Sequence, residues 1–337
     1  MIVYWPLWDV SYLTAQAFTW GSVVWVINAF FAWLPAVRPS SEFHGEKDTA
    51  GITAFVGATI FEIGSVFLMI EAANENRTDC FGWALEEVLE DNGLVRVTPD
   101  RENCTHHHAN KLNIVGRERS SAEKHGHGLP KARKNFPEAQ ELKSWVWFPT
   151  LHELRTHYVH EIGFLACLSQ FIGATVFWIS GFTALPSIQA ALSTPGINGA
   201  YWAPQVIGGI GFIVSSLLFC LETQQKWWKP APQVLGWWVG AWNLIGAVGF
   251  TLSGAFGYWV SSKGTYEAGL STFWASWAFL IGSCVQWYES LVKHPVEVES
   301  RKGMTAARPR DVAEGEHHLH STDRIPSLVQ EKKCENI

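Results

Sequence analysis

One carboxylate, Glu62, stands in the middle of a long run of apolar or small residues, in the stretch GATIFEIGS (57–65). An ionised carboxylate near mid-bilayer costs about 2.5–3.5 kcal/mol on insertion scales, so such a group must face protein or water, or keep its proton. No lysine or arginine lies in any of the long apolar runs to pair with it. The expected partners are therefore hydrogen-bonding groups: Asn28 in the first run is the most polar near the same depth, followed by Ser180 and Ser253. Two roles stay open, a proton- or cation-coupling group and a protonated carboxyl that bridges helices.

Histidine supplies the other candidate chemistry. His106, His107 and His108 follow Cys104 closely, His125 and His127 come next, and His152, His157 and His160-Glu161 precede the third apolar run. Neutral imidazoles beside a thiolate or carboxylate can hold zinc, copper or iron. The candidate metal set is Cys104, His106, His107, His108, His157 and His160, with 157, 160 and 161 sharing one face if the segment is helical. The H-x3-H and H-x2-H-H boxes of membrane di-iron enzymes are absent, so no cofactor is predicted beyond a loop-bound transition metal. The chain also lacks a P-loop, a dinucleotide-binding glycine pattern and a Gly-x-Ser-x-Gly elbow. Nucleotide-driven transport and ordinary hydrolase chemistry thus have no support.

These groups sit in a chain of 337 residues with 47% apolar residues and 19 tryptophans, and a mean hydropathy of +0.04. Six runs are long and apolar enough to cross a bilayer as helices: about 11–34, 51–72, 158–182, 201–221, 234–260 and 268–288. The expected fold is an all-α, polytopic membrane protein. Residues 1–72 hold the N-terminal segment and first hairpin, 73–157 a large, partly disordered polar loop, 158–290 four further spans, and 291–337 a disordered tail. Met1–Asp9 has no basic n-region or cleavage site, so the first span reads as a retained helix.

Six passes put the N-terminus, the large loop, the 222–233 loop and the tail on one face. Of 25 Lys and Arg, only Arg38, Lys47 and Lys263 fall on the other face. Positive-inside bias therefore places both termini in the cytosol. The sequons at Asn76 and Asn103, both in the large loop, pull the other way. The six cysteines fit a reduced protein: Cys167, Cys220 and Cys284 lie in spans, and Cys80, Cys104 and Cys334 face the cytosol. The segment Phe81–Glu90, apolar on one face and acidic on the other, reads as a short interfacial helix.

Aligned, the span centres are GSVVWVINA (21–29), GATIFEIGS (57–65), GATVFWISG (173–181), GGIGFIVSS (208–216), GAVGFTLSG (246–254) and ASWAFLIGS (275–283). Each fits small-small-x-x-aromatic-x-aliphatic-polar/small-small. Six residues beyond the motif the even spans alone carry a glutamate: Glu71, Glu222 and Glu289. The implied unit is a helical hairpin present three times. At 100° per residue, positions one, five and eight fall within about 60° of one another, giving each helix a small–aromatic–small stripe for close packing in lipid. The three glutamates return to that face. They either cap neighbouring helix ends or line a vestibule at the cytosolic mouth. Glu62, at position six, has no counterpart in the other five copies.

The stretches FEIGSVFLMIEAANENR (61–77), FIGATVFWISGFTALP (171–186), FIVSSLLFCLETQ (212–224) and WAFLIGSCVQWYESL (277–291) resemble a group of fungal multi-spanning integral membrane proteins. The G-x3-F-x-I-G-S core is similar to the bacterial YrhK-type helix hairpin. The resemblance covers most of residues 5–295 and implies a membrane location, with no substrate, reaction or catalytic residue. The functions expected are a small-solute, ion or proton pathway, or an accessory to transport. The alternative is a non-catalytic membrane scaffold or stress-related protein, with a histidine-dependent membrane enzyme behind both. Expected partners are the bilayer, a small solute or ion and a second copy of the chain, and not nucleic acid.

Overall fold

The structure, a computed structural model, describes residues 5–41, 45–74, 81, 84–85, 88, 145–224 and 226–291. All lie in one unit, Met1–Val296. Six long helices carry it: α1 (Val10–Val37), α2 (Glu46–Asn74), α3 (Ile162–Thr183), α4 (Ala203–Thr223), α5 (Leu235–Gly257) and α6 (Ser262–Leu291). No strand forms among the described residues. All six are long and apolar enough to cross a membrane. The chain is a multi-pass, all-α membrane protein.

Local sequence explains where several helices begin. Asp9 caps α1, its carboxylate accepting from the Ser11 N–H at 2.9 Å. Gly45, at φ 87°, turns the chain into α2, a left-handed conformation that costs glycine little. The third helix starts later than the apolar run, at Ile162. Ahead of it, Leu151–Thr156 forms its own short helix, closed by a capping box between Thr150 and Glu153, and Tyr158–His160 makes a tight 3-10 turn. Between α3 and α4, the short helices Pro186–Ala191 and Thr194–Ile197 and a wide turn at Asn198–Trp202 carry the chain across.

The six helices pack in chain order, each on the next, and α6 returns to pack on α1, closing a ring. Every neighbouring pair is antiparallel, as the contacts between opposite ends require. Ser11 near the start of α1 meets Glu71 near the end of α2. Phe30 and Trp33 near the end of α1 meet Phe273 in the first half of α6, with ring centroids 5.1 and 4.7 Å apart.

The small–aromatic stripe explains how each hairpin closes. A Cβ built on Gly21 would stand 2.6 Å from the Phe61 ring, and one on Gly57 would stand 2.9 Å from Trp25 Nε1. The second hairpin has the same reciprocal fit. Gly173 lies under Phe212 (3.1 Å to Cδ1) and Gly208 against Phe177 (2.7 Å to Cβ). In the third, Gly246 seats Phe279 at 2.7 Å. A glycine at position one thus makes room for the position-five aromatic of its partner, and the helix backbones approach closely without a hydrophobic drive from water.

The six position-five aromatics meet on the ring axis. Trp25, Phe177 and Phe250, from the odd helices, form a triangle with centroid separations of 5.6, 4.9 and 5.5 Å. Phe279 joins Phe61 at 5.6 Å and Phe212 at 6.3 Å. Phe177–Phe212 at 5.6 Å and Phe250–Phe279 at 5.5 Å tie the two groups together. All six are buried. The opposite surface of each helix is apolar and exposed, including Ile63, Val66, Ile179, Val214, Val248 and Ile281. Such a belt fits lipid contact. Exposed aromatic residues mark the loops at both ends: Lys226 lies over Trp228 at 5.5 Å and Lys263 over Trp259 at 5.7 Å, the interfacial placement such pairs favour.

The two ends of the large insertion are held together. Asn74 Nδ2 donates to the Val146 carbonyl at 2.8 Å while its Oδ1 accepts from Val146 N–H at 2.9 Å. Tyr158 Oη donates to the Ala73 carbonyl at 2.7 Å, and Phe81 packs on Trp145 and Trp147.

Candidate functional site

Glu62 lies about midway along α2, at the seam with α3 and away from the axis. Its Oε1 is 3.0 Å from Thr175 Oγ1, and Thr175 is exposed on the outer wall of the ring. One turn along the same seam, Trp178 Nε1 donates to Thr59 Oγ1 at 3.0 Å. The two contacts are equivalent. Thr59 and Thr175 both occupy motif position three, and Glu62 and Trp178 both occupy position six. Each helix therefore sends its position-six side chain to the position-three threonine of the other.

Asn28 is not the partner of Glu62. Its Nδ2 donates to the Ala50 carbonyl at 2.6 Å and to Thr53 Oγ1 at 3.0 Å, near the start of α2. The reason is the antiparallel crossing. With Gly21 opposite Phe61 and Trp25 opposite Gly57, each further residue along α1 meets an earlier one on α2. Asn28 and Glu62 thus lie at different depths. Ser253 is also elsewhere, in a buried network of α4, α5 and α6. Gln205 Nε2 donates to Ser253 Oγ at 3.1 Å, and Ser253 shares a 2.7 Å hydrogen bond with Thr272. Ser180 is buried on α3. Gln205 is not among the sequence candidates above. Its signal was present, because it is the only amide side chain in the fourth apolar run.

Glu71, Glu222 and Glu289 each reach the first turn of their hairpin partner. Ser11 Oγ donates to Glu71 Oε1. A Cβ on Gly163 would collide with Glu222 Oε1, and one on Gly236 would stand 3.6 Å from Glu289 Oε1. Ser11, Gly163 and Gly236 all precede position one of their motif by ten residues. The N-cap residues of α3 and α5, Glu161 and Val234, make no side-chain capping bond. A partner carboxylate near free N–H groups at the positive end of a helix dipole is favourable. Each Glu→Ala change is expected to cost about 0.3–1 kcal/mol. The three costs should add, since each glutamate serves its own hairpin. Unfolding of the single and triple variants in detergent checks this, and a triple variant more stable than the sum would reveal a ring of like charges instead.

His157 and His160 do not share a helical face with Glu161. His157 ends one short helix, His160 lies in the following turn and Glu161 caps α3. His157 Nε2 does lie 3.2 Å from Glu161 Oε1, whereas His160 points into the exposed surface. Among the described residues, no three His, Cys, Asp or Glu side chains gather as a metal-binding group. Cys104, His106, His107 and His108 lie outside the described residues, as do His125, His127, Asn76 and Asn103. No protein-family model, no curated protein and no solved structure matches this chain.

Proposed function

We propose that the six-helix ring is a tightly packed membrane platform without an axial conduit, which carries the large insertion and the tail on one face. The observation behind this reading is the aromatic cluster. Six buried rings, one from each helix, meet where a pore along the axis would have to run. The charge asymmetry of the sequence supports a cytosolic placement of the loaded face. The matching glycine, aromatic and glutamate positions of the three hairpins support descent from one duplicated hairpin, in keeping with the resemblance to YrhK-type hairpins.

A second reading, a proton or small-ion pathway, is favoured by Glu62 alone and would run along the α2–α3 seam. Liposomes containing the purified protein separate the two. Proton and potassium leak, followed with a pH-sensitive dye and a potassium electrode, is expected to equal that of protein-free liposomes. Saturable flux that Glu62→Gln abolishes would replace the platform reading with the seam pathway.

A further inference from the structure

We propose that Glu62 is a proton-binding site at the α2–α3 seam, a neutral carboxylic acid that donates its proton to Thr175 and latches the first hairpin to the second. The argument is one of counting hydrogens. A threonine hydroxyl has one proton and can accept from further donors. Thr175 Oγ1 lies 2.9 Å from the Phe171 carbonyl, which can only accept, and 3.0 Å from Glu62 Oε1, so two oxygens compete for the threonine's one proton. Both contacts are hydrogen bonds at the same time only when the carboxyl supplies the second hydrogen.

The equivalent contact on the same seam offers a pattern for the direction. Thr59 Oγ1 gives its proton to the Phe55 carbonyl at 2.8 Å and accepts from Trp178 Nε1 at 3.0 Å. An indole N–H is a donor and nothing else. Position six donates at one of the two contacts on this seam, and a protonated Glu62 would make the other contact match it. The second oxygen agrees. Glu62 Oε2 is buried without a hydrogen-bond partner, a modest cost for the carbonyl oxygen of an acid and a large one for half of a carboxylate.

Among the described residues of the helices packed on α2, no lysine, arginine or histidine stands beside Glu62 to offset an ionised form. The elements packed on α2 are α1, α3 and the short Pro186–Ala191 helix. Their titratable side chains are Tyr12 on α1 and Cys167 on α3, and α2 itself has Glu46, Lys47 and Asp48 at one end and Glu71 at the other. The inference stands under either reading of function. A structural latch and a pathway both need the site to be loaded first.

Infrared difference spectra of the wild-type protein and Glu62→Gln in liposomes at neutral pH test the protonation. The expected result is loss of a protonated-carboxyl carbonyl band in the variant, with stability kept because the amide also donates to Thr175. Loss of carboxylate bands instead would overturn the proposal. Dicyclohexylcarbodiimide, a lipid-soluble reagent that adds a protonated carboxyl across one C=N bond, tests access in the wild-type protein. Peptide mass analysis should find Glu62 modified, with the yield falling as pH rises. An unmodified Glu62, or a yield that does not fall as pH rises, would overturn the proposal. Thr175→Val should abolish the stability difference between Glu62→Gln and Glu62→Ala, and an unchanged difference would remove Thr175 as the acceptor.

Discussion

Replacing Gly208 with valine is expected to destabilise the second hairpin more than any other single glycine change on the stripe. A Cβ at this position would come within 2.7 Å of both the Gly173 carbonyl oxygen and Phe177 Cβ, and within 2.8 Å of the Phe177 nitrogen. Two of these atoms belong to the backbone of α3. They cannot turn aside as a side chain would. The facing surface offers no relief, since a Cβ on Gly211 would stand 2.8 Å from Gly173 Cα. Overpacking of this kind costs about 1–3 kcal/mol in well-packed cores, and a valine against backbone falls at the upper end. In lipid, where close approach itself holds the helices together, the loss of contact along the rest of α3 and α4 adds to it. Unfolding in a denaturing detergent should show the drop. Gly199, with nothing within 4 Å of its Cβ position, is the control, and its alanine variant should match the wild type.

Phe250→Ala is expected to cost about 3–5 kcal/mol, the range for emptying a buried phenylalanine site. Phe250 is 2% exposed and touches rings from three other helices, Trp25, Phe177 and Phe279, at 4.9, 5.5 and 5.5 Å. None of these can fill the space without leaving its own seat over a glycine or in the triangle. The void is lined by apolar rings, and such cavities stay dry. Stability should therefore fall in the detergent titration while the proton leak of reconstituted liposomes stays at the wild-type level. A leak that appears with Phe250→Ala would mean that the aromatic cluster is a gate and not a filled core. Val214→Ala, on the exposed wall of α4, should change stability by no more than about 0.5 kcal/mol.

The two expected effects share an origin in the motif, and the motif was legible because its causes are local. Apolar length marks a span whatever its neighbours do, and a glycine four residues before an aromatic on five of the six spans, with Ala275 on the sixth, already implies a surface built to receive a ring. The glutamates of the even spans were legible in the same way, through their fixed distance from the motif. Which of the two roles they serve, capping or a vestibule, was not. Only the antiparallel hairpin shows that Glu71, Glu222 and Glu289 reach the starts of α1, α3 and α5. The break before α3 is an intermediate case. The capping box Thr150-x-x-Glu153 was present in the sequence, yet an apolar run extended through 158–161 hid the turn that separates His157 and His160.

By itself the sequence determined an all-α membrane protein of six spans, the stripe on which each span packs, and the oddity of Glu62 among its equivalents. Those properties depend on residues a few positions apart on one helix. Tertiary structure alone decided that α6 closes on α1, that the six aromatics converge on one axis, and that Glu62 meets Thr175 and not Asn28. In an antiparallel pair, the point where two helices cross sets which residues share a depth, and moving it by one turn changes every partner. Nothing in one helix specifies that point. It follows from the five glycine–aromatic contacts being satisfied together, which only the folded ring achieves.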